Sequence, residues 1–159
     1  MKKTWLEEKT VIISGASSGI GLETARVLIE RYRCNVIGIA RNLEKLQKAK
    51  DLLGDHFTFY SFDVGSSENW KHFCSNLTQK NIVPDVLINN AGILPRFSKF
   101  ERYDQAEIDA VMKTNFYSTL YSIQALTPLL KQSSTPAVVN VASSAALAPV
   151  VGTTVYTAS

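Results

Sequence analysis

The chain has 159 residues, 45% of them hydrophobic and 19% charged, with a formal net charge of +3, and this composition excludes disordered and fibrous proteins. Lys and Arg are scattered along the sequence, and no stretch approaches the ~20 apolar residues of a membrane-spanning helix. We therefore expect a single cytoplasmic domain over residues 1–159, with neither nucleic acid nor a membrane as partner.

Five short runs rich in β-branched or aromatic residues are predicted strands, at residues 10–14, 35–40, 57–62, 85–89 and 137–142. Helical patterns separate them, at residues 20–29, 42–54, 63–80 and 104–131, the last ending near Pro128. This alternation predicts a parallel sheet covered by helices on both faces. The run at 137–142 would then form an apolar sheet edge that a sixth strand ought to cover.

The cysteines and histidines are not arranged as functional sites. Cys34 and Cys74 lie far apart without metal-ligand spacing and fall in or beside apolar patterns, so we expect reduced packing residues. His56 and His72 fit neither a metal site nor a catalytic pair, and we expect both at the surface. No metal site is predicted.

A glycine-rich turn, "SGASSGIG", follows the first predicted strand directly. It places Gly15, Gly19 and Gly21 where glycines allow a tight strand-to-helix turn and a close backbone approach to a pyrophosphate. The spacing differs from the common GxGxxG order, and a merely structural turn is the alternative. Its position at the first strand–helix junction favours dinucleotide binding.

The second strand ends in "GIAR", where dinucleotide folds often carry an acidic residue that binds the adenosine ribose hydroxyls. Here the residue is Arg41, which would bind a 2′-phosphate through charge-assisted hydrogen bonds. NADP(H) is therefore favoured over NAD(H). The alternative is a solvated arginine beside Asn42, the predicted helix cap.

With "SGASSGIG", "NNAG" at 89–92 and a serine thirteen residues before a tyrosine, the sequence resembles the classical short-chain dehydrogenase/reductase family. The resemblance covers essentially the whole chain and implies a Rossmann-type, doubly wound α/β fold. It implies that the cofactor is bound by the glycine turn, by the end of the third strand and by "NNAG". The residues concerned are Gly15, Ser17, Ser18, Gly19, Ile20, Gly21, Asp63, Val64, Asn90, Ala91 and Gly92.

The same resemblance implies a catalytic set of Asn, Ser, Tyr and Lys. Asn115 of "MKTNFYS", Ser143 of "VASSA" and Tyr156 of "VYTAS" match the first three. Ser144 is a rival for the serine, but the usual gap to the tyrosine selects Ser143. Taken without the other motifs, Asn115 would be only a kink or cap in its helix.

The lysine of this set should follow Tyr156 by four residues, at position 160, and the sequence ends at Ser159. In the family the lysine helps a tyrosine, which is a weak base at neutral pH, to exchange a proton with the substrate oxygen. We therefore expect a truncated domain that lacks the lysine, the substrate loop and the C-terminal strands. The full-length protein is expected to form a homo-oligomer.

Two segments near the expected substrate cleft are ambiguous in the sequence. Phe97, Phe100 and Tyr103 follow "NNAG", where the cleft would begin, although core or dimer contacts are equally compatible with them. The segment "ALAPVVG", at 146–152, joins Ser143 to Tyr156, and its apolar character suggests a mostly apolar ketone or alcohol.

The sequence thus predicts an NADP(H)-dependent oxidoreductase that transfers hydride between nicotinamide and a ketone or secondary alcohol. The alternative is a non-catalytic dinucleotide-binding module, or an inactive fragment, which the absent lysine favours. A module of that kind would have no need for Asn115, Ser143 and Tyr156 to converge.

Overall fold

The computed structural model describes residues 4–159, in which five strands form one parallel sheet. The strands are β1 (Thr10–Ser14), β2 (Asn35–Ala40), β3 (Phe57–Ser61), β4 (Val86–Asn89) and β5 (Ala137–Asn140). Their spatial order is β3-β2-β1-β4-β5, and each neighbouring pair is parallel. The predicted Rossmann-type doubly wound sheet is confirmed.

Six α-helices accompany the sheet in the described part of the chain: α1 (Gly19–Tyr32), α2 (Leu43–Leu53), α3 (Ser67–Gln79), α4 (Gln105–Val111), α5 (Ser118–Leu130) and α6 (Thr154–Ala158). The central strand β1 divides the hydrophobic core between its two faces. Val11 and Ile13 pack with residues of α1 and α2, whereas Ile12 packs with residues of α3 and α5. This alternation follows from the two-residue period of a strand, and it explains why the three central residues of β1, Val11, Ile12 and Ile13, are all apolar.

Helix α3 begins later than the sequence pattern indicated. We predicted a helix from Asp63, but residues 63–66 form a turn and the helix starts at Ser67. A carboxylate oxygen of Asp63 accepts a hydrogen bond from the Gly65 amide at 3.0 Å, and the Ser66 hydroxyl accepts one from the Asn69 amide at 3.3 Å. These local bonds fix a turn and then a helix cap.

The helical region predicted at 104–131 is interrupted in its middle, and it ends at Leu130, close to Pro128 as the sequence predicted. Helices α4 and α5 are joined by a π-helical turn, Met112–Tyr117. Pro128 lies inside α5, which nevertheless continues to Leu130, although a proline beyond the first turn provides no N–H for the helix and crowds the carbonyl four residues before it. The capping box of Asp104 and Glu107 begins α4.

Strand β5 lies at one edge of the sheet and is four residues long rather than the six predicted. The side chains of Val138 and Val139 are about half exposed, so this edge is apolar, as the sequence predicted. Over residues 4–159, no helix combines the length and apolar character that crossing a membrane requires.

Asp85 joins three segments at the end of the sheet where β1 and β4 begin. One carboxylate oxygen accepts hydrogen bonds from Ser133 Oγ at 2.6 Å and from Lys9 Nζ at 3.2 Å. The other accepts one from the Thr10 amide at 2.9 Å. Burial of Asp85 raises its pKa, but these hydrogen bonds and the lysine charge outweigh that effect, so the pKa is lowered overall.

We expect Asp85→Asn to lower the free energy of unfolding at pH 7 by about 1–3 kcal/mol, because it removes charge-assisted hydrogen bonds. Since the folded-state pKa of Asp85 is lowered, its contribution to stability is present above the unfolded pKa of about 3.9 and is lost as the pH falls through the folded-state pKa. Denaturant titrations of both proteins from pH 3 to pH 7 would measure this, with Asp55→Asn as control because the Asp55 side chain is fully exposed. Equal pH profiles for Asp85→Asn and the parent would contradict the assignment.

Candidate active site

Two adjoining clefts, with volumes of about 390 and 450 Å³, lie at the carboxyl ends of the strands. We call them the β2 cleft, because its lining includes Ala40 at the end of β2, and the β5 cleft, because its lining includes Val141 and Ala142 directly after β5. The β2 cleft is lined by Gly15, Ser17, Ser18, Ile20, Ala40, Arg41, Asn42, Lys45, Phe62, Val64, Asn90, Ala91, Gly92, Ile93 and Thr114. The β5 cleft is lined by Ile20, Asn90, Ala91, Gly92, Ile93, Leu94, Asn115, Val141, Ala142, Ser143, Ala146, Tyr156, Thr157 and Ser159.

The glycine turn after β1 is folded tightly against "NNAG". Gly15 has a φ of +72°, and a Cβ added at Gly21 would lie 2.4 Å from the Gly15 carbonyl oxygen. Asn90 Nδ2 donates a hydrogen bond to the Ser14 carbonyl at 2.9 Å. The Ser14 hydroxyl accepts hydrogen bonds from the amides of Asn90 and Ala91, both at 3.0 Å. These contacts hold the two chain segments that form the floor of both clefts.

The first turn of α1 presents backbone N–H groups at the β2 cleft. Ser18, the N-cap residue, makes no side-chain capping bond, and no acidic residue lies in the first helical turn. Gly19 has a φ of +55°, and a Cβ there would meet nothing within 4 Å. The uncapped N–H groups and the positive end of the helix dipole therefore favour an anionic group at this position.

Two cations lie at the end of the β2 cleft beyond β2. Arg41 follows the strand, and its carbonyl accepts a hydrogen bond from Ser61 Oγ at 3.1 Å. Lys45 lines the same cleft one turn into α2, where its amide donates to Asn42 Oδ1 at 2.8 Å. Arg41 is predicted from the sequence, whereas Lys45 is not. The capping spacing from Asn42 could have indicated it, since a residue three positions after the cap lies in the first turn of the helix.

Three of the predicted cofactor-binding residues do not line the clefts. Gly21 is buried in the glycine turn, Gly19 is exposed beside it, and Asp63 makes the turn that precedes α3. Val64, next to Asp63, is buried and lines the β2 cleft. A contact of Asp63 with a bound cofactor stays a prediction.

Asn115 lies in the π-helical turn and is fixed by the backbone that follows "NNAG". Its Oδ1 accepts a hydrogen bond from the Ile93 amide at 2.8 Å, and its Nδ2 donates to the Ile93 carbonyl at 3.0 Å. Nδ2 also donates to Ser159 Oγ at 2.9 Å. Asn115 therefore joins three segments of the β5 cleft through one side chain, and its local setting is a widened helical turn.

Ser143 and Tyr156 both line the β5 cleft, and Ser144 does not. Ser143 follows β5 and caps a short 3₁₀ turn, its Oγ accepting a hydrogen bond from the Ala145 amide at 3.2 Å. Tyr156 lies in the five-residue helix α6 and is half-buried. The structure thus brings all three predicted catalytic side chains to one cleft.

Helix α6 is anchored by a small separate core. Val155, beside Tyr156, is buried with Tyr103 and Val111. Tyr103 is therefore a core residue, whereas Phe97 and Phe100 are exposed. This packing holds the tyrosine-bearing helix against α4. A helix of five residues would be unstable alone, so α6 depends on these contacts.

The part of the chain that the structure describes contains no group of side chains that could bind a metal ion. Over residues 4–159, no three His, Cys, Asp or Glu side chains are grouped so that they could hold an ion. His56 and His72 are exposed, and Cys34 and Cys74 are free thiols whose pKa values are raised by burial.

Comparison with known proteins places this arrangement in a family. A family model described as short chain dehydrogenase matches residues 9–159. An uncharacterized oxidoreductase of Staphylococcus saprophyticus is 34% identical over 152 residues, which cover 95% of this chain and 61% of that protein. Retinol dehydrogenase 8 of Bos taurus is 37% identical over 157 residues, which cover 95% of this chain and 49% of that protein.

Solved structures agree with the sequence comparisons. A protein from Shigella flexneri, whose structure was determined in complex with NADP, superposes with a TM-score of 0.89 at 28% identity, covering 99% of this chain and 68% of that one. The chain spans 61% and 49% of the lengths of the two sequence relatives. The match of the family model to nearly all of its residues shows that the chain belongs to the short chain dehydrogenase family.

Proposed function

We propose that this chain carries the cofactor site and three catalytic side chains of an NADP(H)-dependent oxidoreductase acting on ketones and secondary alcohols. One observation carries the proposal: the β2 cleft and the β5 cleft share Ile20, Ile93 and the Asn90–Gly92 segment. A dinucleotide that lies along the β2 cleft would reach the shared floor next to Ser143 and Tyr156. The homo-oligomer and the cytoplasmic location stay predictions from the sequence.

The residues of the β2 cleft fit a dinucleotide. The uncapped first turn of α1 offers N–H donors for a pyrophosphate, beside Ser17 and Ser18. Val64 offers an apolar contact for the adenine, and Asn90 and Gly92 lie on the floor that leads to the β5 cleft. When bound, such a cofactor supplies hydride chemistry, and the chain supplies its binding and orientation.

NADP(H) is preferred in this proposal because of the charges beyond β2. Arg41 and Lys45 line the cleft where an acidic residue would otherwise bind ribose hydroxyls. Two cations at the start of α2 favour a 2′-phosphate, since both are donors to phosphate oxygens. The NADP complex of the Shigella flexneri protein supports this preference by similarity.

The chain's own residues have separate roles in the proposed reaction. The Tyr156 hydroxyl donates a proton to the carbonyl oxygen during reduction, and in the reverse direction the Tyr156 phenolate accepts a proton from the alcohol. The Ser143 hydroxyl donates a hydrogen bond to the same oxygen and stabilises its developing charge. Asn115 holds the backbone of Ile93 and the end of α6 in place.

Cofactor binding and turnover test the proposal separately. NADPH fluorescence would measure binding to the chain, and absorbance at the nicotinamide band would measure its oxidation with a panel of ketones. Binding with turnover supports the oxidoreductase. Binding without turnover on any ketone would favour the alternative, a dinucleotide-binding module, and failure to bind either NADPH or NADH would refute both.

We expect Arg41→Asp to weaken NADPH binding by about 10- to 100-fold, because one charge-assisted phosphate contact is replaced by repulsion. NADH binding should be unchanged or improved, so the preference should shift toward NAD(H). Titrations of both cofactors would measure the ratio. Lys48→Asp makes the same charge change on α2 at an exposed residue outside the cleft lining, and it should leave the ratio unchanged. An unchanged ratio in Arg41→Asp would show that Arg41 does not read the 2′-phosphate.

A further inference from the structure

The β5 cleft opens onto a group of exposed apolar side chains. Two of its lining residues, Leu94 and Ala146, begin segments that carry these side chains. Leu147 is 91% exposed and Val151 is 95% exposed, and three further apolar side chains are more than half exposed. We call this group the apolar rim, and its members are Leu94, Phe97, Leu147, Val150 and Val151. A cluster of this kind beside a cleft indicates a surface that binds something apolar.

The two segments of the rim are held side by side. The Ser98 amide donates a hydrogen bond to the Gly152 carbonyl at 3.0 Å, and the Tyr103 hydroxyl donates to the same carbonyl at 3.0 Å. Gly152 has a φ of +82°, and a Cβ placed there would lie 3.6 Å from Phe97 Cβ. The segment that begins at Leu94 and the segment that begins at Ala146 therefore both line the β5 cleft and are joined again at Gly152. The apolar rim is thus adjacent to the cleft.

Charge is distributed unequally between the two clefts. Arg41 and Lys45 line the β2 cleft, whereas the β5 cleft, within residues 4–159, is lined by no charged side chain. The sequence explains this difference, since residues 132–159 contain no Asp, Glu, Lys, Arg or His. A carboxylate or phosphate on a substrate would find no cation in this cleft to offset the loss of its hydration.

We propose that the β5 cleft and the apolar rim select an uncharged carbonyl or alcohol whose long alkyl or aryl group lies along the rim. The identity of the reacting site rests on the proposed function, but the selection itself follows from the exposed apolar side chains of the rim and from a cleft lining that contains no charged side chain. The reacting oxygen lies near Ser143 and Tyr156, and the apolar group passes Leu94 and covers Leu147 and Val151. Covering these side chains removes apolar area from water and stabilises the complex.

A matched pair of ketones tests this selection on the chain as it is. Octan-2-one and 7-oxooctanoate have the same length and the same carbonyl position, and they differ by a terminal methyl or carboxylate. Their affinities would be measured by ligand-observed NMR, with and without saturating NADPH, so that the preference is obtained whether or not the cofactor binds. We expect octan-2-one to bind at least about tenfold more tightly.

Substitutions in the rim separate this selection from a general effect of charge. Leu147→Lys should reduce the preference for octan-2-one by about fivefold, because it removes apolar surface and supplies a cation for the carboxylate. Val151→Lys should act in the same direction. Leu52→Lys is the matched control, since Leu52 is 68% exposed on α2, outside both cleft linings, and it should leave the preference unchanged.

Several results would overturn the inference. Equal affinities for the two ketones would do so, as would a preference that Leu147→Lys and Val151→Lys leave intact. If phosphatidylcholine vesicles or a second copy of the chain bound through Leu147 while neither ketone bound, the rim would be assigned to that partner instead. Failure of NADPH to bind, with the ketone preference retained, would refute the proposed function and not this inference.

Discussion

Tyr156→Phe is expected to lower NADPH-dependent ketone reduction by about 10²- to 10⁴-fold, because it removes the proposed proton donor and nothing else. The ring of Tyr156 would remain in place, since its helix is anchored by the buried Val155. NADPH affinity and the unfolding free energy should therefore change little. Initial rates, cofactor titration and denaturant unfolding on one preparation would separate these three quantities.

Tyr117→Phe provides the matched control for this experiment. Tyr117 is an exposed tyrosine in the π-helical turn, outside the lining of both clefts, and it loses the same hydroxyl group. Its turnover should equal that of the parent. Equal rates for Tyr156→Phe and Tyr117→Phe would remove Tyr156 from the proposed mechanism.

The second large effect is expected at Gly21. A Cβ there would lie 2.4 Å from the Gly15 carbonyl oxygen and 2.9 Å from the Gly15 carbonyl carbon, and backbone atoms cannot rotate away as side chains do. Gly21→Ala should therefore force α1 away from the glycine turn and lower the free energy of unfolding by about 1–3 kcal/mol. It should also weaken NADPH binding, since α1 carries the N–H groups of the β2 cleft.

Comparison of Gly21→Ala with Gly19→Ala separates the cost of steric crowding from the cost of an unfavourable backbone conformation. Gly19 has a φ of +55°, but a Cβ there meets nothing within 4 Å, so only the left-handed conformation opposes the substitution. We expect it to cost about 1 kcal/mol. Denaturant unfolding would measure both variants, and a smaller loss in Gly21→Ala than in Gly19→Ala would contradict the packing argument.

The strands could be predicted from the sequence because each is a short run of β-branched, aromatic or other apolar residues bounded by polar or turn residues. β1 and β2 have the predicted bounds, and β3, β4 and β5 are shorter by one or two residues. Parallel pairing followed from the helices between them. The helix ends were harder, because Asp63 and Ser66 form side-chain bonds that delay α3, and an apolar pattern does not report such bonds.

Parts of the candidate site were visible in the sequence for physical reasons. A glycine turn after a strand and a fixed gap between Ser143 and Tyr156 are local patterns, and the structure brings these residues to adjoining clefts. The setting of Asn115 was not visible, because two of its three hydrogen bonds to other segments are made with the backbone of Ile93, and any residue type supplies the same backbone groups. Hydrogen bonds between a side chain and a backbone group distant in sequence cannot be recognised from composition or periodicity.

The π-helical turn between α4 and α5 determines how the side chains of α4 are rotated about the helix axis relative to those of α5. An α-helix advances by about 100° per residue, so the extra residue of a π-turn rotates everything before it by about that angle relative to everything after it. Leu126 of α5 faces the sheet core while Val111 of α4 faces Val155. Deleting one residue from 112–117 would make the helix regular and turn Val111 away from α6. One additional residue in the π-helical turn therefore sets the direction in which Val111 faces, and Val111 packs with Val155 of the tyrosine-bearing helix.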